Sequence, residues 1–226
     1  MSSKMKCKIL TFEEVYEMTR QVARKVKESN YRPTTIVGLA RGGWMPARLL
    51  CDFLGITDLI SLKVEHWLET GRTRDEATIR YPLTGDLKGK RLLVVDDIAD
   101  TGKSLIASTG YLSKFNADEM KTATMQFLSA SKFVPDFYGE EVKVWTWFIY
   151  PWNWIEDTST LIVRLMGAEK EKVWSIPAVN EGLKDLFEIE WEPGMLRYIL
   201  QVMVERGQLE EAKGGYRLKE AKVIRL

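Results

Sequence analysis

A chain of 226 residues is long enough for one full α/β domain and a smaller appendage. Its 33 basic and 32 acidic residues nearly cancel, which removes any general electrostatic case for nucleic acid or an anionic membrane. One histidine and two cysteines (Cys7 and Cys51, without metal spacing) argue against a multi-histidine metal centre, a histidine-based triad and a disulfide framework.

The N-terminal MSSKMKCKIL lacks a long apolar core, and no stretch approaches a membrane span, so a cytoplasmic protein is expected. Residues 11–29 read as an amphipathic helix, with Thr11 and Glu14 as a capping box and Val15, Met18, Val22 and Val26 near one face. Residues 35–39 are a short buried strand running into Ala40-Arg41-Gly42-Gly43, followed by an apolar helix through Trp44, Leu49, Leu50 and Phe53. Gly-Gly lets the backbone approach a ligand or take a positive φ, and Arg41 offers charge-assisted hydrogen bonds; in isolation the pair is equally well a plain turn. Residues 59–64 form another strand. From 65 to 80 the chain is polar, a long loop closed by Tyr81-Pro82, and loops of that length in a compact domain are usually functional or disordered.

Residues 91–105, RLLVVDDIADTGKSL, organise the chain. The apolar run at 92–95 ends on adjacent carboxylates, Asp96 and Asp97; a short loop follows, and an apolar helical pattern resumes at Leu105. This reads as a buried parallel strand, a phosphate-cradling loop and a helix start, where backbone N–H groups and the helix dipole favour an anion. Ionised carboxylates only accept hydrogen bonds, so the pair suits vicinal sugar hydroxyls or a hard cation. The bland alternative is an ordinary βα turn capped by Asp100 or Thr101, but two unliganded carboxylates side by side repel. Beyond it lie a helix at 105–115, a strand at 121–128, a polar connection at 129–135 and an alternating strand at 142–148 that ends in the aromatic run WTWFIYPW. In the tail, 177–187 and 195–205 read as helices, followed by Gly207 and a Gly214-Gly215 turn.

VVDDIADTGKS resembles the 5-phosphoribosyl 1-pyrophosphate (PRPP) motif of the type I phosphoribosyltransferases, which transfer phosphoribose from PRPP to a nitrogenous base. The resemblance implies that fold: a central, mostly parallel sheet flanked by helices, with a hood at about 65–82, over residues 1–156. Residues 157–226 would be a small, mainly helical appendage. The same resemblance implies that Asp96, Asp97, Ala99, Asp100, Thr101, Gly102, Lys103 and Ser104 bind PRPP and its 5′-phosphate, Lys103 being expected to face solvent. Ala40, Arg41 and Gly42 match the family's pyrophosphate loop, to which Arg72 and Arg74 of the hood would add. Mg²⁺ would be held by Asp97 and Asp96, and Asp100 would act at purine N7 as N9 attacks C1′.

TMQFLSASKFVPDFY and TWFIYPW further resemble the xanthine-guanine phosphoribosyltransferases and their archaeal relatives, implying that Trp147 stacks on a purine and Phe148 reads its edge through the backbone. In 6-oxopurine enzymes a lysine donates to O6; an ungapped alignment places Leu128 there, with Lys132 four residues on. A carbonyl oxygen left unpaired in a buried site costs about 1–3 kcal/mol, whereas the adenine amino group suits a backbone acceptor. The expectation is therefore a purine salvage enzyme that makes AMP and pyrophosphate from adenine and PRPP. The alternatives are a 6-oxopurine enzyme and, in another class, a PRPP-sensing DNA-binding regulator. The helix and Gly-turned hairpin of the tail resemble the end of a winged helix, but its charges balance and no basic recognition face shows. Nucleic acid and membrane are not expected partners; a homodimer is, with the tail as a dimerising or capping appendage.

Overall fold

The computed structural model describes residues 4–69 and 72–219, with the side chains of 65–78 excluded from the description. The chain divides into two compact units, one of residues 12–145 and one of residues 1–11 with 146–226. The division differs from the expected boundary at 156/157 in that the N-terminal strand and the aromatic run 147–152 join the tail.

In the larger unit the helix α1 (Phe12–Glu28) buries Val15, Thr19, Val22, Ala23 and Val26, one stripe of a 3.6-residue period. The strand β2 (Thr35–Ala40) leads to α2 (Trp44–Leu54), and β5 (Arg91–Ala99) leads to α3 (Lys103–Leu112). With β3 (Leu59–Glu69), β4 (Arg72–Ile79), β6 (Glu119–Leu128) and β7 (Phe137–Val142) they form one sheet in the order β4-β3-β2-β5-β6-β7. All pairings are parallel except β3–β4. Leu92, Leu93, Val94 and Val95 of β5 are fully buried, as an unbroken apolar run in a doubly covered parallel sheet should be. Each contributes up to about 1.5–3 kcal/mol of burial.

The two faces carry different cores. α1 and α2 cover one face, where Val22, Val26, Ala47 and Leu50 pack with Ile36, Leu93 and Val95. α3 covers the other, where Leu105 and Leu112 pack with Val37, Leu92, Val94 and Phe127. After β2 the chain moves outward to β3; after β5 it moves outward the opposite way to β6. The crevice at the carboxyl ends of β2 and β5 is therefore a topological switch point, where open α/β sheets bind ligands.

Two expectations change. Within the stretch read as a loop from 65 to 80, residues 65–69 and 72–79 are antiparallel strands: β3 leaves β2 after Lys63 and pairs with β4, from Val64–Ile79 to Glu69–Arg72. Main-chain hydrogen bonds define it, and those need no apolar alternation. The single strand expected at 142–148 is split. β7 ends at Val142, and Trp147–Ile149 (β8) pairs in parallel with the N-terminal strand β1 (Cys7–Ile9).

In the smaller unit α4 (Trp154–Met166), α5 (Ile176–Phe187) and α6 (Pro193–Glu205) enclose a core of Leu161, Ile162, Val179, Leu183, Phe187, Leu196, Ile199 and Met203. A hairpin of β9 (Leu209–Ala212) and β10 (Gly215–Leu218) follows, with Trp174 bridged to Tyr216. α4 was not expected from the sequence. α5 is capped by the Ser175 side chain, which accepts from Ala178 N–H, and α6 by Glu192, which accepts from the Gly194 and Met195 N–H groups. The outward residues of α6 are Arg197, Tyr198, Gln201 and Glu205, one charge of each sign. Among the described residues no helix is long and apolar enough to cross a membrane.

Candidate active site

The loop after β2 and the acidic end of β5 meet at the switch point. Residues 40–43 leave β2 through a cis peptide between Ala40 and Arg41. Gly43 then starts α2, its N–H donating to Leu39 O at 2.8 Å and its carbonyl accepting from Ala47 N–H at 3.0 Å. Gly42 lies directly against the Asp97 carboxylate: a Cβ built on Gly42 would overlap Oδ2, stand 2.5 Å from Cγ and 2.8 Å from Oδ1. Glycine is required there because the acidic end of β5 occupies the volume a side chain would need. A Cβ on Gly43 would meet backbone instead, the Val95 carbonyl and, at 2.8 and 2.9 Å, the Leu39 O and N atoms.

The acidic pair is oriented by its own main chain. Asp97 N–H donates to Asp96 Oδ1 at 3.0 Å, and Ile98 N–H donates to Asp97 Oδ1 at 2.9 Å. Burial first, and the neighbouring Asp97 charge second, push the Asp96 carboxyl well above the usual carboxylate range. Like charges packed at a strand end cost stability, and a cation or a donor-rich ligand relieves the cost. Among the described residues no three His, Cys, Asp or Glu side chains cluster as a self-sufficient metal site.

The loop 99–104 closes over the end of β5. Ala99 is buried, Asp100 and Thr101 are exposed, and Gly102 takes φ +78° as the residue before α3. Neither α2 nor α3 has a side-chain cap from the residue before its first turn, in contrast to α5 and α6; at α3 the Thr101 Oγ1 accepts a long bond, 3.5 Å, from Lys103 N–H. Lys103, expected to face solvent, is half-buried and engaged with the rest of the chain.

The predicted residues thus fall into three groups. Ala40, Arg41, Gly42, Asp96, Asp97 and 99–104 gather at the carboxyl ends of two adjacent strands. Leu128 ends the next strand, β6, and is 5% exposed, with its carbonyl accepting from Ser131 N–H at 2.8 Å. Lys132 is exposed. Trp147, 42% exposed, and the half-buried Phe148 belong to the smaller unit. The side chains of Arg72 and Arg74 lie outside the described residues.

Sequence reasoning passed over Ser131, Lys132 and Phe133 as contacts of the loop. A Cβ on Gly102 would stand 2.9 Å from Phe133 N and 3.0 Å from Ser131 Oγ, and Lys132 N–H donates to Thr101 O at 3.4 Å. The one available signal was the glycine itself, which at a helix start implies a positive φ or a close neighbour without naming that neighbour.

Comparison with known proteins agrees with this geometry. Residues 8–156 match the phosphoribosyl transferase domain family. A xanthine-guanine phosphoribosyltransferase of Cereibacter sphaeroides is 33% identical over 124 residues, covering 52% of this chain and 68% of that protein. Another from Idiomarina loihiensis is 27% identical over 149 residues, covering 64% and 85%. The crystal structure of a purine phosphoribosyltransferase from Pyrococcus horikoshii superposes with a TM-score of 0.59 at 34% identity, covering 66% of this chain and 95% of that one. The family match stops ten residues short of the end of α4 and takes in both Gly42 and Asp97. The chain belongs to the phosphoribosyl transferase domain family and is an enzyme of the type I phosphoribosyltransferase class.

Proposed function

We propose that the chain is a purine phosphoribosyltransferase of nucleotide salvage that transfers phosphoribose from PRPP to adenine, forming AMP and pyrophosphate. The observation that carries this reading is the contact of Gly42 with the Asp97 carboxylate. It sets residues 40–43 beside the acidic end of β5, which supports reading them, with the loop that leads into α3, as the three parts that a ribose bearing a phosphate at one end and a pyrophosphate at the other requires. Residues 40–42 take the pyrophosphate, with Arg72 and Arg74 as further candidates. Residues 99–104 take the 5′-phosphate through main-chain N–H groups and the Thr101 and Ser104 hydroxyls. Asp96 and Asp97 face the ribose hydroxyls and the cation.

Mg²⁺ fits this donor set, since it is commonly held by one or two carboxylates together with substrate oxygens rather than by a full protein cage. When bound, it neutralises charge on the departing pyrophosphate. The chain's own contribution is positioning. The two loops hold the two phosphate ends of PRPP so that C1′ faces the base, and Asp100, exposed on the same loop, accepts or relays the N7 proton as N9 attacks. An oxocarbenium-like transition state gains from the nearby carboxylates and from exclusion of water by the hood. Trp147 stacks on the base and Phe148 reads its edge.

The adenine preference rests on Leu128. Its side chain is buried and carries no donor, so Leu128 itself offers nothing to a 6-oxo group. The names of the relatives favour the other reading, a xanthine, guanine or hypoxanthine enzyme. The tail, with a charge-balanced α6 face, supports an appendage rather than a DNA-reading module, and the active species in this reading is a homodimer. Pyrophosphate release from PRPP and Mg²⁺, with adenine, hypoxanthine, guanine and xanthine supplied separately, tests all of this. Turnover with adenine alone supports the whole reading; turnover with the oxopurines removes the specificity argument; silence with all four removes the activity.

A further inference from the structure

Apart from Leu128, the turn behind the 5′-phosphate loop has no part in the function as described so far. It begins at Leu128, whose carbonyl accepts from Ser131 N–H at 2.8 Å. Ser131 Oγ accepts from Phe133 N–H at 3.3 Å and donates to Phe133 O at 3.1 Å, so residues 128–133 form a turn that is bonded to itself. This turn touches the loop twice. Lys132 N–H donates to Thr101 O, a long bond at 3.4 Å. Gly102, at φ +78°, lies against Phe133 and Ser131 with no room for a side chain.

The consequence is geometric. The Thr101–Gly102 peptide is trans, the described cis bond being Ala40–Arg41. In a trans peptide plane C=O and N–H point in opposite directions. Drawing Thr101 O toward Lys132 therefore turns Gly102 N–H away from the turn, to the opposite side of the loop, and the absence of a Cβ on Gly102 lets the two backbones close to that distance.

We propose that residues 128–133 are the positioning element of the 5′-phosphate site: Lys132, through its main-chain N–H, and Phe133, through its contact with Gly102, fix the direction in which the loop presents its amides. Because Leu128 opens the same turn, one short piece of chain holds both the base end and the phosphate end of the site in register. The proposal rests on reading 99–104 as the 5′-phosphate loop. Lys132 acts through the backbone, which explains why its side chain can stay exposed.

The test is titration calorimetry of the full chain with two probes, ribose 5-phosphate for this loop and pyrophosphate with Mg²⁺ for the loop at 40–43. Lys132→Pro deletes the N–H donor. It is expected to weaken ribose 5-phosphate about tenfold, the worth of one hydrogen bond to an ordered loop, while pyrophosphate binding changes less than twofold. Lys132→Ala, which keeps the N–H, is expected to restore the affinity that proline loses. Should the proline variant fail to fold, Ser131→Ala, which removes the Oγ that ties the turn to Phe133, supplies the same comparison, with a several-fold loss for ribose 5-phosphate alone. Unchanged ribose 5-phosphate affinity, an equal loss for both probes, or the same loss in Lys132→Ala would each overturn the proposal. Wild-type protein that binds pyrophosphate but no ribose 5-phosphate would be a different failure, that of the phosphate-loop reading on which the proposal stands.

Discussion

Gly42→Ala puts the junction of the two loops to a direct test. Gly42 is not among the residues at positive φ, so an alanine there is opposed by space and not by backbone conformation. Its methyl group would fall on the Asp97 carboxylate, overlapping Oδ2 and lying 2.5 Å from Cγ. The side chain of Asp97 is the movable party, and moving it breaks the bond from Ile98 N–H to Oδ1, 2.9 Å long. A charged hydrogen bond of this kind, partly replaced by water, is worth about 1.5 kcal/mol, which lowers Tm by about 3–6 °C in a chain of this size. Misplacing a reacting group by about 1 Å costs about a hundredfold in rate, so kcat/KM for PRPP should fall about that far. The neighbouring Gly43→Ala provides the contrast. Its methyl group would meet the carbonyl of Val95 and the Leu39 backbone, which cannot swing aside, and the expected loss is about 3 kcal/mol, with Tm down by about 6–12 °C. Thermal melting and steady-state kinetics on both variants separate the effects. A Gly42→Ala protein that melts low but keeps kcat/KM within threefold of wild type would refute the idea that Asp97 works at this junction.

Other outcomes are open to measurement. Asp100→Asn should cut turnover by about 10²-fold, the usual worth of general acid–base assistance, while PRPP affinity largely survives; unchanged turnover removes Asp100 from the chemistry. Leu128→Lys should move the adenine-to-hypoxanthine ratio of kcat/KM toward hypoxanthine, and an unmoved ratio would discredit the placement of Leu128 at the base. Asp96→Asn, melted in chelator without substrate, should be more stable than wild type at pH 8. The sign follows from the raised carboxyl: the folded state binds that proton more tightly than the unfolded state, so stability declines as pH climbs out of the ordinary carboxylate range, and the penalty is complete above the raised value. The advantage of the asparagine should vanish at pH 3, where Asp96 is protonated in both states; an equal advantage at both pH values would mean that charge is not the cause.

The legibility of this chain varied with the range of the forces involved. The unit 91–105 declared itself because its signals are local: a buried parallel strand needs an unbroken apolar run, and a ligand-facing turn needs small and acidic residues in a row. α5 and α6 were legible within two residues at either end, since Val179, Leu183 and Phe187 and then Leu196, Ile199, Leu200 and Met203 repeat at helical spacing. α4 escaped because Thr158, Thr160, Ile162 and Val163 are β-branched and weigh against a helix. Burial of Leu161, Ile162, Leu165 and Met166 against α5 and α6 overrode that propensity.

What the sequence determined by itself, then, was the two strand–loop–helix units and the class of fold they build, because strand, turn and helix start are each written in fewer than about fifteen consecutive residues. Tertiary structure alone decided the rest. It set β2 beside β5, so that residues 55 positions apart, Gly42 and Asp97, share one volume. It joined Trp147–Ile149 to Cys7–Ile9, 140 positions away in sequence, and it made the polar stretch after Val64 into paired strands. Each of these is a main-chain or backbone-packing contact between distant segments. Peptide groups are the same at every position, so such contacts leave little trace in the side chains that a sequence spells out.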